Sequence, residues 1–125
     1  TIPIILERPL FGWGAGSFPF IFQMRYPNFN REPTHPHNLI LEMANSYGVI
    51  FALIMLITFC LIIFYSYKKI FIKKNLSQNE DLKFNKAWWA SFFTLFLSQM
   101  YDIQYFDFRI SLSFWILLTG LACII

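Results

Sequence analysis

A chain of 125 residues that is 57% hydrophobic, 21% aromatic and only 14% charged is too apolar for an ordinary soluble domain, where about a quarter of the residues carry charge. The formal charge of +3 does not point to nucleic acid, because the charges are segregated: all six lysines fall between Lys68 and Lys86, and the four arginines (Arg8, Arg25, Arg31 and Arg109) lie outside that stretch. The composition is that of a membrane protein; the fold expected is an all-α membrane protein, and no cofactor is expected.

Residues 1–47 read as a non-spanning segment. Phe11-Gly12-Trp13-Gly14-Ala15-Gly16 is a tight loop with aromatic anchors, since each glycine inside a helix costs about 1 kcal/mol. Pro27, Pro33 and Pro36 keep the next stretch extended or turning. Asn38 is the expected N-cap of a short helix over 39–46, and Gly48 offers a bend. An uncharged run over 48–67 follows. At about 1.5 Å per residue it reaches roughly 30 Å, the thickness of a hydrocarbon core.

The basic loop over 68–86 is placed in the cytoplasm by the excess of lysine, which leaves residues 1–47 extracytoplasmic. A second span is expected over 87–104, with Trp88 and Trp89 at the inner interface and Tyr101 and Tyr105 at the outer one. Asp102 to Arg109 forms an outer turn, and a third span covers 110–125. The chain starts at Thr1 and stops within an apolar run, so it is expected to be a piece of a longer polytopic protein. Cys60 and Cys123 sit in apolar runs and read as small hydrophobes rather than a disulfide or a metal pair.

This topology gathers Arg25, Arg31, His35, His37, Asp102, Asp107 and Arg109 at one membrane face. An imidazole titrates near neutral pH and can take a proton from a sugar hydroxyl; equally, His37 can serve only to order the start of the 39–46 helix. His35, His37 and Glu42 are metal-ligand types, but the i,i+2 spacing of the histidines across a proline matches no usual zinc pattern, and no metal is expected. Arginine forks suit phosphate, although each arginine can also snorkel to headgroups. Arg8, beside Glu7, reads as ion-paired or interfacial. Asp102 and Asp107 could form a carboxylate pair, but the favoured reading is ion partners holding Arg109, because a salt-bridged carboxylate is a poor base.

Three segments carry a family resemblance. Arg8-Pro9-Leu10-Phe11-Gly12-Trp13-Gly14-Ala15-Gly16-Ser17-Phe18 resembles the P-L-x-G-x-G-x-G-x-F segment of the O-antigen ligase and polymerase family. His37-Asn38-Leu39-Ile40-Leu41-Glu42, followed by Gly48-Val49-Ile50, is similar to that family's H-N-x-x-L segment and its glycine with two hydrophobics. Asp107-Phe108-Arg109, with Phe114-Trp115 and Gly120, resembles its last hairpin. The chain departs from the pattern at Ser46, where an acidic residue is common, and at Phe51 and Ala52, where a second glycine is common.

The resemblance implies a metal-independent glycosyltransferase of the bacterial inner membrane. It would move a glycan from undecaprenyl diphosphate to a sugar hydroxyl, such as one on the lipid A core. It makes His37 the general base or the group that orients the acceptor hydroxyl, with Arg25 or Arg31 stabilising the departing diphosphate, and His35, Asn38, Asp107 and Arg109 as substrate-binding groups. The family's earlier arginine-bearing segments would lie upstream, so this stretch alone is expected to be inactive. The partners implied are the polyprenyl-linked donor, a glycan or glycolipid acceptor and the bilayer, with no nucleic acid. An O-antigen polymerase differs only in acceptor. A transporter of the bicarbonate-uptake kind or a non-catalytic membrane protein are readings of another class; ion transport would predict ionisable residues deep in the spans, and the 48–67 run has none.

Overall fold

The computed structural model describes residues 1–29, 33–72 and 79–125. Among them all regular structure is helical: α1 (Ile2–Glu7), α2 (Phe18–Arg25), α3 (Leu39–Tyr47), α4 (Val49–Tyr67), a π-helical segment Lys68–Ile72 continuing α4, α5 (Asn79–Tyr101) and α6 (Phe108–Ile124). The chain forms two compact units, Thr1–Leu56 with Gln99–Ile103, and Ile57–Ser98 with Gln104–Ile125.

The first unit is organised by its glycine loop. A helix leaves its last carbonyls and first amides without partners inside the helix. Here the loop supplies them for two helices at once. The Trp13 and Gly14 amides donate to the Asn45 and Ser46 carbonyls at the end of α3, at 2.7 and 3.1 Å, and the Val49 amide at the start of α4 donates to the Pro9 carbonyl at 2.7 Å. Such close backbone approach requires glycine. Gly12 has φ 67°, and a Cβ there would stand 2.5 Å from the Asn45 carbonyl oxygen; Gly48 has φ 96°, and a Cβ there would overlap the Leu10 carbonyl. The Trp13 indole N–H closes the loop by donating to the Ile4 carbonyl at 2.9 Å. Ile5, Ala44 and Ala52 form the apolar centre, with Ile40, Leu41, Met43 and Val49 packed around it.

The second unit is held by rings. Phe59, Phe92, Phe96 and Phe114 are all buried. Phe59 meets Phe96 and Phe114 edge-on, each at 5.6 Å between centroids, and Phe92 lies 5.2 Å from Phe114. These offset and edge-to-face arrangements are the favourable ones for aromatic quadrupoles. The Trp88 indole donates to the Leu117 carbonyl of α6 at 2.9 Å, and the Trp89 indole to the Ile63 carbonyl of α4 at 3.1 Å. Gly120 makes room for the first of these, since a Cβ there would run into the Trp88 ring.

Val49–Ile72 is one helix long and apolar enough to cross a membrane. Its 24 residues reach about 36 Å, and only 17% of its most apolar stretch is buried, unlike the covered core helix of a water-soluble domain. α6 is apolar but has 17 residues. The segment expected as a loop over 68–86 is helical as far as Ile72 and again from Asn79. Neither 68–72 nor 79–86 contains proline or glycine, so helix is tolerated in both lysine-bearing stretches. Lys73 and Lys74 lie outside the described residues.

Candidate functional site

The first unit carries a polar cluster built on the entrance to α3. Asn38 is extended (φ −154°, ψ 125°) and caps the helix, its Oδ1 accepting from the Ile40 and Leu41 amides at 3.0 and 3.1 Å. Its Nδ2 donates to the Met100 carbonyl at 2.7 Å. That carbonyl belongs to the last turn of α5, where intrahelical partners run out. One side chain thus joins the start of α3 to the end of α5 and brings Asp102 beside His37.

His37 Nδ1 and Asp102 Oδ1 are 2.9 Å apart. With Asp102 ionised the nitrogen is the donor, which fixes the tautomer and leaves Nε2 as the basic atom. The His37 hydrogen bond is the main cause holding the Asp102 carboxyl below the usual carboxylate range, with desolvation opposing it. His37 has φ 55°, a left-handed conformation in which histidine is one of the few enriched non-glycine residues. The two side chains are 62% and 53% exposed, so the pair is open to a ligand.

His35 lies alongside, its ring centroid 4.8 Å from that of His37 and its Nδ1 2.7 Å from the Thr34 hydroxyl. Burial, and then the neighbouring His37, lower its pKa, against the opposing influence of Glu42 and Asp102. Both histidines line a cavity of about 510 Å³ whose other wall is Phe18, Phe22 and Phe29.

The other expected site residues fall elsewhere. Arg25, at the end of α2, is ion-paired with Glu7. Arg8 is therefore not the partner of Glu7; its guanidinium sits 4.3 Å over the Trp13 ring, a cation–π contact. Arg31 lies outside the described residues. In the second unit Asp107 caps α6, accepting from the Arg109 amide at 2.9 Å, with the Arg109 side chain 3.9 Å away and almost fully exposed. Arg109 thus has Asp107 as its carboxylate neighbour, while Asp102, expected to share that role, serves His37.

Glu42, weighed as a third ligand beside the histidines, is instead buried, with Oε1 accepting from the Ser46 hydroxyl at 2.8 Å. Its other oxygen and the Oδ1 of fully buried Asn45 have no hydrogen-bond partner among the described residues. The role of Asp102 toward His37 was the main feature that sequence reasoning missed. The two residues stand 65 apart, and the only signal available was the expected topology, in which both would share one membrane face.

No protein-family model, curated protein or solved structure matches this chain.

Proposed function

We propose that this chain serves an O-antigen ligase-like glycosyltransferase, moving a glycan from undecaprenyl diphosphate to a sugar hydroxyl at the outer face of a bacterial inner membrane. The observation that carries the reading is the His37–Asp102 hydrogen bond at the head of the segment that resembles the family's H-N-x-x-L motif. It makes His37 an oriented base on an open surface. The acceptor hydroxyl gives its proton to His37 Nε2 while its oxygen bonds the anomeric carbon. The anomeric C–O bond breaks, and the electron pair leaves with the diphosphate. Asp102 stabilises the imidazolium that forms, as the third member of a base-orienting arrangement does. The step needs no metal.

The diphosphate falls to Arg25 or Arg31, with Glu7 the group that Arg25 must leave or share. The membrane arrangement that goes with this reading is multi-pass. α4 is the first span, and the apolar parts of α5 and α6 are the second and third. The lysines lie on the cytoplasmic side, and the histidine cluster outside.

The test is complementation of a strain lacking the gene, with the complete gene carrying His37→Ala or Asp102→Asn, at matched membrane levels. Loss of a general base costs on the order of 10²–10⁴ in rate, so His37→Ala is expected to leave the glycan unattached to its final acceptor. Asp102→Asn is expected to fall between that variant and wild type. Attachment of single repeats alone would assign the chain to the polymerase branch. An unchanged glycan ladder with His37→Ala would overturn the transfer reading.

A further inference from the structure

Beyond transfer, we infer that His35, His37 and Asp102 form a binding site for a divalent first-row transition ion. At least one ligand-capable atom of each lies within 4.8 Å of those of the others. Around a six-coordinate ion with bonds of about 2.1 Å, neighbouring ligand atoms stand about 3 Å apart and opposite ones about 4.2 Å. The 2.9 Å between His37 Nδ1 and Asp102 Oδ1 already matches one such edge. The third arm closes by a modest rotation of His35, whose ring is 4.8 Å from that of His37.

The donor chemistry selects the ion. Two imidazoles and one carboxylate suit iron, cobalt, nickel or zinc, and leave positions open for water or an exogenous ligand. Calcium and magnesium prefer all-oxygen sets. The carriers are positioned independently of any ion. The two imidazoles already lie side by side, 4.8 Å between centroids, and Asn38 holds the end of α5 through the Met100 carbonyl, two residues before Asp102. The Thr34 hydroxyl against His35 Nδ1 is the outer-sphere contact that commonly orients a ligating imidazole. An ion there engages the same imidazole that transfer uses, so the two occupancies exclude each other.

This chain has two histidines, both in the proposed site, and the variants assign the binding to it. The full-length protein is purified in detergent without a histidine tag, in a Cys60→Ser, Cys123→Ser background that removes the two thiols of this chain, and titrated with Co²⁺ and then with Zn²⁺. The expected result is a saturable visible absorption band at one Co²⁺ per chain, displaced by Zn²⁺. The apparent affinity should fall at least tenfold in His35→Ala and in Asp102→Ala, each checked for retained helicity by circular dichroism. Absence of the band, or binding unchanged in both variants, overturns the site. The readout uses no glycan, so failure of the transfer reading and failure of the ion site are separate results.

Discussion

The two units solve the same problem with different forces. The first joins short helices through main-chain hydrogen bonds from a glycine loop and through one asparagine side chain. The second joins long helices through phenyl rings and indole N–H groups. Hydrogen bonds are directional and fix groups to within tenths of an ångström, whereas ring packing tolerates adjustment. The polar cluster of His35, His37 and Asp102 sits in the first unit.

Substitutions break this comparison in graded ways. Gly48→Val is expected to be the most damaging. It places a β-branched residue at φ 96° and drives its Cβ into the Leu10 carbonyl, at a cost of roughly 3–5 kcal/mol. Hydrogen exchange should rise throughout α3 and the 9–14 loop, while the amides of α6 stay protected. Phe114→Ala sharpens the contrast. In a water-soluble core it would cost about 3–5 kcal/mol. Between helices in lipid the loss should be smaller, because the separated helices keep apolar surroundings. Unfolding in bicelles that gives the full aqueous cost would count against a membrane setting for the second unit.

Asn38→Ala removes both the cap and the Met100 contact and should cost about 2 kcal/mol, with faster exchange at Ile40 and Leu41. Asp107→Ala removes only a cap and should cost about 1 kcal/mol, confined to the first turn of α6. If Asn38→Ala proved no worse than Asp107→Ala, the bridge from Asn38 to α5 would carry no energy.

Local features were legible in the sequence. Asn38 signalled the start of a helix and Gly48 its end, and the helix over 39–46 is observed as Leu39–Tyr47. The uncharged run over 48–67 is, from Val49 on, part of the apolar helix Val49–Ile72. The glycine run read correctly as a tight loop. Its role in capping two helices was not legible, because the carbonyls it serves lie more than 30 residues along the chain. Charge pattern misplaced the helix ends around the lysines, since lysine sets topology without breaking a helix. Pairing of carboxylates with cations was the least legible. Glu7 has a cation next to it in sequence yet pairs with Arg25, and no periodicity links residue 37 to residue 102.

The π-helical segment Lys68–Ile72 has a genealogical consequence. A π turn behaves like one residue inserted into an α-helix. Loss of a single residue there has a ready remedy: the turn tightens to α and the side chains before it keep their bearings. The same deletion between Val49 and Phe59 would swing every later side chain by about 100° and break the contacts of Phe59 with Phe96 and Phe114. Length variation among descendants of this sequence is therefore expected to collect at 68–72.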